Sequence, residues 1–491
     1  MKSIIRAIAL TTLILCPFNR IESQQPLPKP PKPIKIGQYN TFTAQNGSTI
    51  FLVSKKGYPK VRVSFMFNLP DLNTDREIAT RGVLSEILAE MNNQSEIKKR
   101  FNQIKDNAGS ITTHTNSYTV SGLKEDLDSM LDALSFFMDN SFIQPKEFKI
   151  AKERVALKYK ERESRQNKSP KPGKTPWTDL MDSLVFTTTT PTVKIEEPTF
   201  EEVSAITIAQ VKEYFNRFMG PKNTFCMVIG DFSQQEIESH FKKRLKKWRG
   251  GVKYSQAENA NIITKRYPSD RRIYVKHKEG AAQSSISVKW PLGDAFPYRE
   301  NEPVLKVLNQ IFGESYSSYL NDNLRLDKGL CYGAKCFMNI DATGGSCTAT
   351  TMVRGEESAY ALENILYEML RIRNQLVDPK VLEMAKNGLI GDFAMSMSAI
   401  NSPALLGFGM VKERYNLPDN YFESYPLKIY SITAQQVREA AQRYIKPYQC
   451  IIVIEGDLKV IGKSLEQFAP VRYFNQEGSE IFNISDFIGK I

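Results

Sequence analysis

The chain has 491 residues, room for two or three domains with cores of their own, and 41% hydrophobic with 24% charged residues excludes a disordered or fibrous protein. Its net charge of +12 raises nucleic acid or an acidic surface as a partner, yet the densest cluster, Lys242-Lys243-Arg244 with Lys246-Lys247 and Arg249, comes without a phosphate loop, zinc-finger spacing or interleaved aromatics. That cluster reads as the solvated face of one helix, and nucleic acid is not an expected partner.

Lys2 and Arg6 ahead of an apolar stretch from Ala7 to Phe18 have the form of an export signal, with cleavage expected near Ser23. The stretch is too short to span a bilayer, and nothing later supplies about 18 unbroken apolar residues, so no transmembrane segment is expected in the mature chain. Cys16 follows Leu13-Ile14-Leu15 and so lacks the small residue that precedes a lipoprotein cysteine. The proline-rich run that follows is an extended spacer. Residues 1–23 are therefore expected to be a signal peptide and 24–33 a linker; in a bacterium this predicts a periplasmic protein.

A first domain is expected over 34–250. Phe51 to Val53 and Val61 to Phe67 alternate like strands with one buried face, and Arg81 to Met91 has helical spacing. Ser110 to Thr115 and Tyr118 to Val120 predict a hairpin, followed by a helix through Leu127, Met130, Leu131 and Leu134 and another over Phe148 to Arg162. Gln166 to Pro176 is a loop because its Pro and Gly residues leave no room for a regular element. After a linker over 251–268, a second domain over 269–470 repeats the order. Its strands are Arg272 to Val275 and Ser285 to Trp290, its helix Val304 to Phe312, and its hairpin Cys331 to Met338 with Ser346 to Val353. Helices over Ser358 to Ile372 and Pro379 to Ser396 and a strand from Cys450 to Glu455 complete it, leaving 471–491 as an unduplicated tail.

The two halves also match residue by residue. Ile206 returns as Ile432, Val211 as Val437, Pro221 as Pro447 and Asp231 as Asp457, always 226 residues on. Pro145-Lys146 and Ala151-Lys152 return as Pro379-Lys380 and Ala385-Lys386 at an offset of 234. A period of this length is a domain, not a solenoid repeat. The expected fold class is α+β: two homologous domains, each a mostly antiparallel sheet with helices packed on it.

Without the signal, Cys226, Cys331, Cys336, Cys347 and Cys450 remain, an odd set with no C-x-x-C, which argues against a disulfide framework or a zinc ribbon. Cys336 and Cys347 flank a turn signal, and a cross-strand disulfide is open to them in an oxidising compartment. His114, His240 and His277 are the only histidines, none at ligand spacing from another His, Cys or carboxylate, and they read as ordinary packed or surface residues. No nucleophile elbow or dinucleotide fingerprint is present. One stretch, Leu320 to Gly333, stands out. Gly329 ends a helix in the left-handed conformation, so Arg325 in the last turn and Tyr332 on the next strand come to one end of the sheet. Arg offers fixed donors to a carbonyl or carboxylate, and Tyr a hydroxyl to a developing oxyanion. The plainer reading is that Arg325 caps the helix dipole and Tyr332 packs.

Phe312 to Leu320, Arg325, Lys328-Gly329-Leu330 and Tyr332-Gly333 resemble the insulinase/pitrilysin family of zinc peptidases. The likeness is to the second domain of their short bacterial and mitochondrial-processing-peptidase members, and in organisation it runs from about Ile34 to Pro470. Active members of that family bind zinc through an inverted His-x-x-Glu-His helix in the first domain. Here the helix Gly82 to Met91 has no histidine in either register, and the third-ligand position falls at Lys160, whose ammonium repels a metal ion. Glu86 and Glu90 share a helix face and read as solvated carboxylates.

The resemblance therefore implies a subunit without a metal or other cofactor of its own. Its partner would be a zinc-bearing homologous peptidase subunit, and its substrate a peptide enclosed between the two. Arg325 would bind a substrate carbonyl and Tyr332 would stabilise the oxyanion. The alternative is a catalytically inactive peptide-binding or scaffold protein of the same fold, as in the core subunits of respiratory complexes. A weaker third reading is a basic protein that binds envelope polyanions.

Overall fold

Alternating apolar positions build two sheets in a computed structural model that describes residues 39–69, 76–92, 109–114, 116–138, 143–166, 198–252, 270–293, 295, 300–341, 344–398, 411–412, 415–476 and 480–485. The signal, the proline-rich linker, nearly all of the 166–176 loop, most of the 251–268 linker and the last residues of the tail lie outside the described residues.

The first sheet contains β1 (Asn40–Thr43), β2 (Thr49–Ser54), β3 (Lys60–Phe67), β4 (Ser110–Thr113), β5 (Ser117–Leu123) and β6 (Thr224–Gly230), in the order β1-β2-β6-β3-β5-β4. Only the β2–β6 pairing is parallel. Helices α1 (Arg76–Asn92), α2 (Leu127–Met138), α3 (Pro145–Gln166), α4 (Phe200–Ala205), α5 (Ile208–Phe218) and α6 (Gln234–Arg244) accompany it. One core gathers Val63, Phe65, Ile87, Leu131, Val155, Val211 and Trp248. Burying such side chains contributes roughly 1.5–3 kcal/mol each. Helix α1 begins five residues before the predicted Arg81.

The second sheet contains β7 (Arg272–His277), β8 (Gln283–Pro291), β9 (Cys331–Asp341), β10 (Gly344–Arg354), β11 (Ile451–Gly456), β12 (Val471–Phe474) and β13 (Glu480–Ile481), in the order β13-β12-β7-β11-β8-β10-β9. The run β7-β11-β8-β10-β9 repeats β2-β6-β3-β5-β4, including the parallel first pair. Its helices are α7 (Glu302–Asn309), which runs on as a π turn over Gln310–Glu314, and α8 (Tyr319–Asn321), which continues as a π turn over Asp322–Asp327. Then come α9 (Ser358–Asn374), α10 (Pro379–Ser398), α11 (Tyr421–Tyr430), α12 (Ala434–Tyr444) and α13 (Leu458–Ile461). A core of its own holds Trp290, Leu308, Phe312, Leu324, Ile365 and Ile452. The chain has two homologous α+β domains, each a mostly antiparallel sheet carrying helices.

Local chemistry repeats with the topology. Thr207 caps α5 and Thr433 caps α12, 226 residues apart, and both close a capping box. Each threonine hydroxyl accepts the N–H of a glutamine, Gln210 or Gln436, whose side chain accepts the threonine N–H in return. One difference from the sequence reading is plain, and one question it left open is answered. The segment set apart as a tail adds β12 and β13 to the second sheet, held by buried Tyr473 and by Arg472 pairing with Glu480 at 2.6 Å. Cys336 and Cys347 are buried free thiols: Cys336 sits opposite Ala349 and Cys347 opposite Met338, so the two are diagonal, not directly opposed.

Candidate functional site

The stretch from Ser315 to Gly333 is shaped by two glycines and a buried polar network. A Cβ on Gly313 would lie 2.4 Å from the Cys336 Cβ, so only glycine lets the π turn press onto β9. Gly329, with φ of 61°, stops the helix as the sequence predicts. There the Leu330 N–H reaches back to the Leu324 carbonyl at 2.8 Å, and the Lys328 N–H to Asn323 at 3.0 Å. Asn321 ties both ends together, donating to the Ser315 carbonyl at 3.3 Å and accepting from the Ala334 N–H at 3.0 Å.

Beneath it, Glu368 of α9 is 1% exposed and accepts from the Asn323 amide at 2.6 Å. Arg371 pairs with the same carboxylate at 3.3 Å and stacks over the Tyr319 ring at 4.2 Å. Burial holds the Glu368 carboxyl above the ordinary carboxylate range, against the opposite pull of Asn323 and Arg371. A charge so placed is costly unless paired, and its partners fix the turn that carries Arg325.

Arg325 is brought to Tyr332 as the sequence predicts. Its guanidinium lies 5.6 Å from the Tyr332 ring centre and 4.4 Å from that of Tyr316. Two tyrosines thus flank one arginine, and among the described residues no carboxylate pairs with it. Stacking holds the plane of the fork while leaving its N–H edge available. Tyr332 is 94% exposed, which the plainer reading of a packed ring does not fit. The reason is local: Cys331 faces Val353 and Ala334 faces Thr351, so Tyr332 and Gly333 together oppose Met352. This is a β-bulge, the device that re-aims a side chain. The Thr351 hydroxyl fastens it by donating to the Gly333 carbonyl at 3.0 Å. Tyr316, 65% exposed, is the member that sequence reasoning misses, because an aromatic outside any periodic element carries no pattern.

The face where the family holds zinc is filled differently. Glu90 on α1 is not simply solvated: it accepts from Arg154 of α3 at 2.8 Å and lies 3.7 Å from the Lys158 ammonium. The Tyr159 hydroxyl donates to Glu86 at 3.2 Å, and Lys160 sits over the Phe200 ring at 5.2 Å. Cations against the carboxylates and no histidine make a donor set that does not fit zinc. Among the described residues no three His, Cys, Asp or Glu side chains gather at ion-binding range. The histidines have other work: His240 in α6 bonds Asp128 at 2.7 Å, and His277 accepts the Leu458 N–H at 3.1 Å. His114, past the end of β4, is exposed.

Residues 205–389, which contain Arg325 and Tyr332, match the protein-family model described as Peptidase M16 inactive domain. The predicted resemblance is borne out. No curated protein matches the chain. Among solved structures, a peptidase M16 inactive domain from Pseudomonas fluorescens superposes with a TM-score of 0.64 at 17% identity, covering 86% of this chain and 98% of that one. A protease from Helicobacter pylori gives 0.64 at 15%, covering 86% and 100%. The first half of the periplasmic protease PqqL from Escherichia coli gives 0.61 at 14%, covering 90% and 95%. At such identities these likenesses establish the M16 fold. No described helix is long and apolar enough to cross a membrane.

Proposed function

We propose that this chain is the non-zinc subunit of a heteromeric insulinase/pitrilysin-like metallopeptidase, exported to the periplasm and paired with a zinc-bearing homologous subunit. The observation that carries this reading is the Arg325 guanidinium held between Tyr316 and Tyr332 with Tyr332 turned outward by the bulge. A scaffold has no chemical use for an exposed, stacked arginine beside an exposed phenol. In the proposed complex the Arg325 fork binds a carbonyl of the enclosed peptide and the Tyr332 hydroxyl donates to the oxyanion that forms at the scissile bond. The partner supplies the metal and the base. The periplasmic setting rests on the export-like first residues.

The test is cleavage of a peptide by this chain mixed with a homologue that carries His-x-x-Glu-His, with pairing followed by gel filtration. Tyr332→Phe keeps the ring and its stacking and removes the hydroxyl; it is expected to lower kcat by about 10²–10³ without changing pairing. Arg325→Lys keeps the charge and loses the planar fork, which weakens substrate binding. If both variants pair and cleave as wild type, the second reading takes over: an inactive peptide-binding or scaffold protein of the same fold. The match of residues 205–389 to an inactive-domain model is the observation that favours that reading.

A further inference from the structure

The internal repeat places a different object where α1 and α3 meet in the first domain. Two registers locate it. Lys152 of α3 donates to the Ile206 carbonyl at 3.2 Å, and Lys386 of α10 to that of Ile432 at 3.0 Å, so α10 follows α3 at 234 residues (386 against 152). Shifted by 224 residues (314 against 90), buried Val83, Leu84, Ser85, Ile87 and Leu88 fall on buried Val307, Leu308, Asn309, Ile311 and Phe312. Glu90 then corresponds to Glu314, Arg154 to Gly388, Lys158 to Asp392 and Tyr159 to Phe393.

The cations that pair with Glu90 are thus replaced by a residue without a side chain and by a carboxylate. A Cβ at Gly388 would meet nothing within 4 Å. In their place is a cavity of about 610 Å³ whose wall includes Asn309, Glu314, Asp392, Phe393, Tyr421 and Tyr425. The Asn309 amide donates to Glu314 at 2.8 Å, yet its own Oδ1 accepts nothing although the residue is 4% exposed. No cation among the described residues pairs with Glu314 or Asp392; Lys306, the cation on the wall, is 3.2 Å from Glu302. Phe393 and Tyr425, with ring centres 5.0 Å apart, form an aromatic wall, and the Lys306 ammonium lies 5.9 Å from the Tyr425 ring centre.

We infer that this cavity binds the guanidinium or ammonium of a basic peptide side chain, in the place that Arg154 and Lys158 fill in the first domain. A metal ion does not suit it, because among the described residues no three of its carboxylates or other ligating groups gather at ion-binding range. An elongated organic cation with an apolar stem matches both the volume and the aromatic wall. The inference stands apart from Arg325 and Tyr332, which are not among the lining residues.

Calorimetric titration of the whole chain with N-acetyl-Ala-Arg-Ala-amide, and with the same peptide carrying citrulline in place of arginine, tests it. Citrulline keeps the shape and loses the charge, so it is expected to bind at least about tenfold more weakly. Asp392→Lys, which restores the residue type of position 158, is expected to abolish binding, and Glu314→Gln to weaken it. Glu90→Gln, in the other domain, is expected to leave it unchanged. Thermal unfolding verifies that each variant is folded, and Glu314→Gln decides if Asp392→Lys is not. Equal affinity for the two peptides, unaltered binding by folded variants, or no arginine-peptide binding at millimolar concentration overturns the inference.

Discussion

The α1–α3 interface of the first domain and the α7–α10 interface of the second are built on the same scaffold and have opposite electrostatics. In the first, acidic Glu90 on one helix meets Arg154 and Lys158 on the other, and the face is ion-paired. In the second, Glu314 meets Gly388 and Asp392 and the face is a cavity. Topology is common to both because strand order and hydrophobic cores are set by apolar positions that agree after the shift. The polar positions are free to diverge, since they contribute little to the fold. Duplication thus leaves two copies of one architecture with the chemistry divided: an ion-paired face in one, and in the other an open cavity and, separate from it, an exposed Arg–Tyr pair.

The comparison breaks most readily at Gly313, whose counterpart at the same shift is Ala89. Gly313→Ala places a Cβ 2.4 Å from that of Cys336 and 2.6 Å from its backbone nitrogen, so the π turn must lift from β9. The expected cost is about 1–3 kcal/mol, typical of overpacking in a tight core. The reciprocal change, Ala89→Gly, adds backbone freedom within a helix and costs about 0.5–1 kcal/mol. Urea denaturation of the whole chain measures both. A Gly313→Ala variant with the wild-type midpoint would show that the two turns do not differ in the way described.

Much of this architecture is legible in the sequence where a short pattern has one structural solution. The helix stop at Gly329 and the meeting of Arg325 with Tyr332 are of this kind. What escapes depends on contacts between distant segments. The bulge at Tyr332 is a property of pairing with β10, and nothing in Cys331-Tyr332-Gly333 alone announces it. Glu368 in a helix reads as a surface residue until Asn323 arrives from the turn after α8 to share its carboxylate with Arg371, three residues on in the same helix. Strands β12 and β13, of four and two residues, are too short to show a period. The 224-residue shift between α1 and α7 is hidden because it differs from the 226 and 234 of neighbouring segments and matches burial more than identity.

The capping boxes sharpen the comparison by predicting sameness. Thr207→Ala and Thr433→Ala each remove a hydroxyl that accepts an N–H at 3.3 and 3.2 Å. Each is expected to cost about 1 kcal/mol, within a range of roughly 0.5–2. The paired serine variants should recover most of that loss, since serine caps as threonine does. Denaturation midpoints that fall for one substitution and not for the other would indicate that one cap contributes only in its own tertiary setting.

The smallest effect is expected at the ion-paired face itself. Arg154 and Lys158 are more than half exposed, whereas the Glu90 side chain is 18% exposed, so solvent screens the pairs and side-chain ordering offsets part of their attraction. Replacing both cations by alanine is expected to destabilise the chain by under about 1 kcal/mol. The loss should shrink further at 1 M salt, where the screening length falls to about 3 Å. Apolar packing between α1 and α3, with Ile87 and Val155 both in the core, holds the helices together in either case. Thermal unfolding at low and high salt reads the difference. A loss of several kcal/mol would mean that Glu90 is a buried charge dependent on its partners, and the ion-paired face would then be structural cement instead of a solvated relic of the duplication.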